Sequence, residues 1–381
     1  MKLIPLVMAL GASAVGGAAH AATLPATVSS APNKTAGFDA PVRAVVYHAG
    51  VVYVGGDFTH AVQNGHRIAR NHVAAINPAT GQLLPWNPNA DGSVDALAVT
   101  DSYVYLGGSF TRVGGAAHSR LARVSTSAGT VDPGFKGNTN RTVKALAVNG
   151  AALYVGGSFT KVSGRAVSDL VALSSTTGAL NSTWRATANG VVRSLAVANG
   201  WVYAGGDFTS MDGSARGGYL ASLDPTSGAL QSDYTSSVGY RVNNVAATST
   251  TIYAAADGVG GHLRAVNLNG SSRWTVTSDG GFQAVAVLGD VVYAGGHFDN
   301  ICSTARFTGA PAVCRDGSIL RRKLIAVSTG GTLLPWAPQA NSALGTYSLS
   351  ADPATGRVAA GGEWTTFHSG SISQPRFALF S

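Results

Sequence analysis

The chain has 381 residues, 45% of them hydrophobic and 12% charged, with 49 glycines and a formal charge of +8. That much glycine without a collagen period excludes a fibrous or long-helical protein and favours a turn-rich all-β one. The 20 arginines are spread along the chain instead of clustering among aromatics, so no nucleic-acid partner is expected.

The first residues, MKLIPLVMALGASAVGGAAHAA, carry Lys2, an apolar run and then small residues. This pattern predicts a signal peptide over residues 1–21, cut after Ala21 or Ala22, and a secreted protein. No later stretch holds 18 consecutive apolar residues, so no membrane span is expected. Export permits a disulfide, and Cys302 and Cys314, 12 residues apart, are the natural pair. No CxxC pair occurs, and no metal is expected.

Residues 22–381 are a repeat. An aromatic before a small pair recurs as Tyr53, Tyr105, Tyr154, Tyr203, Tyr253 and Tyr293, and Ala359 takes the place in a seventh copy. Units of about 50 residues suit propeller blades. Each unit holds four strand-like segments: an apolar run such as VRAVVYH, a strand such as VYVGG, a third such as HVAAIN, and a segment with one aromatic. Those aromatics are Trp86, Phe135, Trp184, Tyr234, Trp274 and Trp336. Turn peptides such as PATG and PTSG join the third to the fourth. The inner runs are almost continuously apolar, as expected where both sheet faces are covered. The seventh unit stops after its third segment, while the stretch around Phe38 is a fourth segment without a unit. Pairing these two would close a seven-bladed β-propeller of four-stranded antiparallel blades in one domain.

Units such as GGSFTRVGGAAHSRLARVSTSAGTVDPGF, Gly107 to Phe135, resemble the delta-sixty-type propeller repeat of secreted bacterial proteins. The resemblance covers essentially all of residues 22–381 and implies the propeller fold. It implies no chemistry, and no cofactor is expected. The chain departs from it by placing Trp where that repeat has Phe in several fourth segments, and Ala255-Ala256 where it has Gly-Gly.

Comparing the seven copies separates fold from function. The glycine pairs select small size for close packing, since unit five keeps alanines there. The following aromatics (Phe58, Phe110, Phe159, Phe208, Phe298, Trp364) read as core plugs. Between them stand Asp57, Ser109, Ser158, Asp207, Asp257, His297 and Glu363. Asp and Ser suit a turn cap; His297 and Glu363 break the pattern. The loops between second and third strands are longest in units six, seven and one. Loops on a rigid scaffold tend to carry binding residues. These features place a candidate ligand site at Glu363, Trp364, His297, Asp57, His66 and His368. The leading expectation is a non-enzymatic, monomeric extracellular binder of carbohydrate, cell-envelope polymer or protein. The alternative is a carbohydrate-active enzyme on the same face, either a glycoside hydrolase with Asp57 and Glu363 as its carboxyl pair or a polysaccharide lyase. No GxSxG elbow, P-loop or dinucleotide fingerprint occurs.

Overall fold

A computed structural model describes residues 24–309 and 311–381; the expected signal peptide lies outside them. Seven antiparallel units follow one another along the chain. In the first, Val42–His48 pairs with Val51–Gly56, which pairs with Val73–Ile76. The same three-strand order recurs six times, ending with Thr346–Asp352, Arg357–Gly362 and Phe377–Phe380.

The core lies between units. Seven buried clusters each join side chains of two neighbours, for example Tyr53 and Val73 of unit one with Val104 and Ala122 of unit two. One cluster joins unit seven to unit one through Phe377, Leu379, Val42 and Val54. Close approach explains the glycine pairs. Gly55 and Gly56 have ordinary negative φ, but a Cβ on Gly55 would come 2.7 Å from Val94 of the next unit. A Cβ on Gly56 would come 2.1 Å from the Pro41 carbonyl oxygen. Small size is what these positions require, as the copies within the sequence indicate.

The fourth segment departs from expectation. Among the described residues only Ser272–Ser278 of unit five forms a full outer strand, paired with Gly261–Val266. Elsewhere the segment makes a single bridge, such as Ile76 with Leu83 or Leu223 with Leu230. The residues present explain this. LPWNP and LPWAP place prolines, which carry no N–H for a ladder, where a strand would continue. In units two and three Asp132 and Asn181 instead fold onto the amides of Gly134 and Thr183 as turns. Unit five's SRWTVTS has neither feature.

The four tryptophans of these segments bond forward. The indole N–H groups of Trp86, Trp184, Trp274 and Trp336 donate to the carbonyls of Ser125, Asp224, Thr329 and Ser29 at 2.9, 3.1, 2.9 and 3.0 Å. Ser29 lies beside the last strand, where the Ser29 amide meets the Ser381 carbonyl and Asn33 bridges Leu379.

Unit five lacks the outer hairpin that follows the second strand in units one, two, three, six and seven; unit four has a 3-10 turn, Ala215–Gly217, and a single Met211–Ser214 bridge there. The insertion of unit six stands over the gap in unit five: Cys302 and Cys314 are disulfide-bonded with Cα atoms 5.1 Å apart. Its Phe307 packs so near Gly260 that a Cβ there would meet the ring at 2.6 Å. Beneath lies buried His262, stacked on Tyr240 with centroids 4.5 Å apart and edge-on to Phe307.

Candidate functional site

Every first strand carries a bulge at its second residue. In unit one the register passes from Val42 opposite Gly56 to Ala44 opposite Gly55, leaving Arg43 unpaired in the ladder. The same irregularity skips Asp95, Lys144, Arg193, Asn243, Gln283 and Tyr347 in the other six units. A bulge re-aims a side chain out of the sheet's regular alternation. These seven residues all line one cavity of about 550 Å³, together with Asp57, Ser93, Ser109 and Thr142. A narrower cavity of about 190 Å³ begins at six of the seven, Gln283 excepted, and continues past Ala44, Leu97, Leu146 and Leu195.

The charges of this mouth are sorted. Arg43 Nε donates to both carboxylate oxygens of Asp57 at 2.9 Å and lies 3.8 Å from Asp95. The Ser93 hydroxyl bonds Asp57 at 2.8 Å and Asp95 at 2.7 Å. Burial alone would push the Asp57 carboxyl up; the bonds from Arg43 and Ser93 outweigh it and hold the group below the usual carboxylate range. Arg193 forks onto Asp207 at 2.7 and 2.9 Å, and Arg241 pairs with Asp257. Arg43 also lies over the Tyr347 ring, 5.3 Å from its centroid. Burial, followed by the charge of nearby Glu363, raises the Tyr347 phenol above its usual range. Lys144 has neither an ion pair nor a side-chain hydrogen bond among the described residues.

The six residues singled out from sequence are not joined by any hydrogen bond or ion pair among the described residues. Asp57 lines the mouth. Trp364 is fully buried in the core beside Phe367, so its ring has no open face for a ligand. Glu363 neighbours Tyr347, and one of its carboxylate oxygens is buried without a partner. His297 is exposed, with Nε2 accepting the Gly281 amide at 3.0 Å. His66 stands exposed near the turn of unit one's outer hairpin, and His368, in that of unit seven, bonds the Ser30 carbonyl at 3.1 Å.

The expected turn cap is also corrected. At all seven positions from Asp57 to Glu363 the backbone amide donates to the carbonyl just before the first strand, at 2.9–3.1 Å. Asp57, Asp207 and Asp257 turn their carboxylates to arginines, and only His297 folds its side chain onto an amide. The repeated cap comes from an Asp or Asn ahead of the first strand. Asp39, Asp91, Asn140, Asn189, Asp279 and Asn341 each accept two successive amides beyond the core plug, as Asp91 does from Thr111 and Arg112.

Among the described residues no cluster of His, Cys, Asp or Glu is arranged to hold a metal ion, and no helix is long and apolar enough to cross a membrane. Residues 102–135 match a family described as a domain of unknown function (DUF5122) beta-propeller. No curated protein matches the chain. The structure is similar to that of U3-55K, at 13% identity and a TM-score of 0.61, covering 90% of this chain and 96% of that one. It also resembles the WD40 propeller domain of Doa1, at 13% identity and 0.52 over 94% and 97% of the two chains. The computationally designed Ika8 protein matches at 12% identity and 0.51, over 93% and 99%. The chain is therefore an all-β protein with a β-propeller fold.

Proposed function

We propose that this chain is a secreted, closed seven-bladed β-propeller that binds an extracellular carbohydrate at the mouth of its axial cavity, as a monomer and without catalysis. The observation that carries the reading is the bulge at the second residue of every first strand, which brings one polar side chain per unit to one cavity. A mouth lined by carboxylates, amides, hydroxyls and a phenol matches the alternating donors and acceptors of a sugar. Seven inter-unit clusters, one of them between units seven and one, support closure. The export-type N-terminus and the Cys302–Cys314 disulfide support secretion.

A general acid for glycoside hydrolysis needs a carboxyl held above its usual range. Asp57 is held below it by Arg43 and Ser93, so it does not serve as the acid of such a pair. The test is a calorimetric screen of mature protein against simple sugars and cell-wall oligosaccharides, repeated with Asn243→Ala and with His66→Ala. The expected result is binding that Asn243→Ala weakens at least tenfold and His66→Ala leaves intact. Binding indifferent to Asn243→Ala, or release of a shortened product, would overturn the reading.

A further inference from the structure

We infer that the sugar bound at this mouth is an acidic one, a uronic acid whose single carboxylate is met by Lys144. The inference rests on the proposed carbohydrate reading and adds the charge of the ligand. It follows from how the cations of the mouth are used. Arg43 is held by Asp57, with Asp95 next to it, and Arg193 is held by Asp207. Arg241, on the same rim, is held by Asp257. Lys144 is half-buried in the cavity wall between Asp95 and Arg193 in ring order, yet no carboxylate lies within 4 Å of its ammonium group among the described residues. A partly buried cation without a counter-ion is stabilised by an anion that arrives with the ligand.

The remaining lining sets the kind of anion. Asp57 and Asp95 are acceptors that favour hydroxyl donors, and their negative charge opposes a dianion such as phosphate. Asn243 and Gln283 add neutral amides, and Thr142 and Ser109 add hydroxyls near Lys144 in ring order. An ammonium group with no carboxylate within 4 Å among the described residues, set among hydroxyl-binding groups, fits a molecule that is polyhydroxylated and carries one carboxylate.

The test is isothermal calorimetry of mature protein with sodium glucuronate, sodium galacturonate, glucose, galactose and inorganic phosphate. At least one uronate is expected to bind more tightly than its neutral sugar, with affinity falling as salt rises. Lys144→Gln should weaken uronate binding about tenfold to a hundredfold, the usual weight of a charge-assisted hydrogen bond, and weaken the neutral sugar far less. Lys144→Arg should restore most of it. Melting curves equal to wild type keep a folding defect from imitating the effect. Equal affinity for uronates and neutral sugars, phosphate binding as tightly as uronate, or Lys144→Gln without effect would overturn this inference and leave the carbohydrate reading standing. Absence of binding by any of the sugars would overturn both.

Discussion

Replacing Asp91 by alanine removes the clamp of unit two. Its carboxylate accepts the Thr111 amide at 2.7 Å, the Thr111 hydroxyl at 2.6 Å and the Arg112 amide at 2.8 Å. This is the chemistry of a helix N-cap transplanted to a propeller turn, and losing such a cap costs about 1–2 kcal/mol. Asp91 is exposed, so water recovers part of the bonding and the lower half of that range applies. With an unfolding entropy of roughly 0.7 kcal/mol/K for about 360 residues, the melting midpoint should fall by about 2 °C. Asp91→Asn should keep it, because Asn189 makes the same pair of amide bonds in unit four. Acid separates the two. Burial nudges the Asp91 carboxyl upward, but the Thr111 hydroxyl and the two amides outweigh it and leave the group below 3.8. A depressed carboxyl stabilises above its unfolded value and loses that contribution as pH falls from there through its folded value. The midpoint of Asp91→Asn should therefore gain on wild type as pH drops from 7 to about 3, as followed by circular dichroism melts. Asp91→Asn as damaging as Asp91→Ala at neutral pH, or a gap unchanged in acid, would refute this account.

Trp364→Ala should cost about 3–5 kcal/mol by emptying a core site, seen as a lower urea midpoint, while folded protein keeps its mouth affinity. Gly108→Ala brings a Cβ to 2.0 Å from the Ser93 carbonyl oxygen; it should cost about 1–3 kcal/mol in the same assay. Reducing Cys302–Cys314 should remove about 3 kcal/mol of loop constraint. Hydrogen exchange should then quicken around Gly258 to His262, beneath Phe307, before it quickens in the inner strands.

The repeat length, the tyrosine strand, the small pair and the aromatic plug are all legible in the sequence, because each answers one packing demand that every unit repeats. The incomplete fourth strands were hidden by aromatics that look like strand residues; the prolines beside Trp86 and Trp336 were the contrary signal. The clamp was legible as an Asp or Asn standing 20 residues before a Thr in units one to four, as in Asp39–Thr59 and Asn189–Thr209. Missing it put the cap on the wrong side of the turn. The mouth residues were in view as the polar second letter of each apolar first strand: VRAV, VDAL, VKAL, VRSL, VNNV, FQAV, TYSL. Their aim depends on a bulge, which periodicity cannot report. The irregular copies are poorer guides, since His297 caps the Gly281 amide.

The forward-pointing tryptophans give four of the junctions two unlike sides, an indole N–H from units one, three, five and six and a carbonyl beside the unit that follows. Such head-to-tail contacts close into a ring only if the rotation per unit adds up; otherwise they run on as a filament. A proteolytic cut between units one and two, for instance, would bare the Trp86 indole on one side and the Ser125 carbonyl on the other. The two bared sides are complementary, so association of nicked protein is the expected outcome, read as a rise in mass by light scattering.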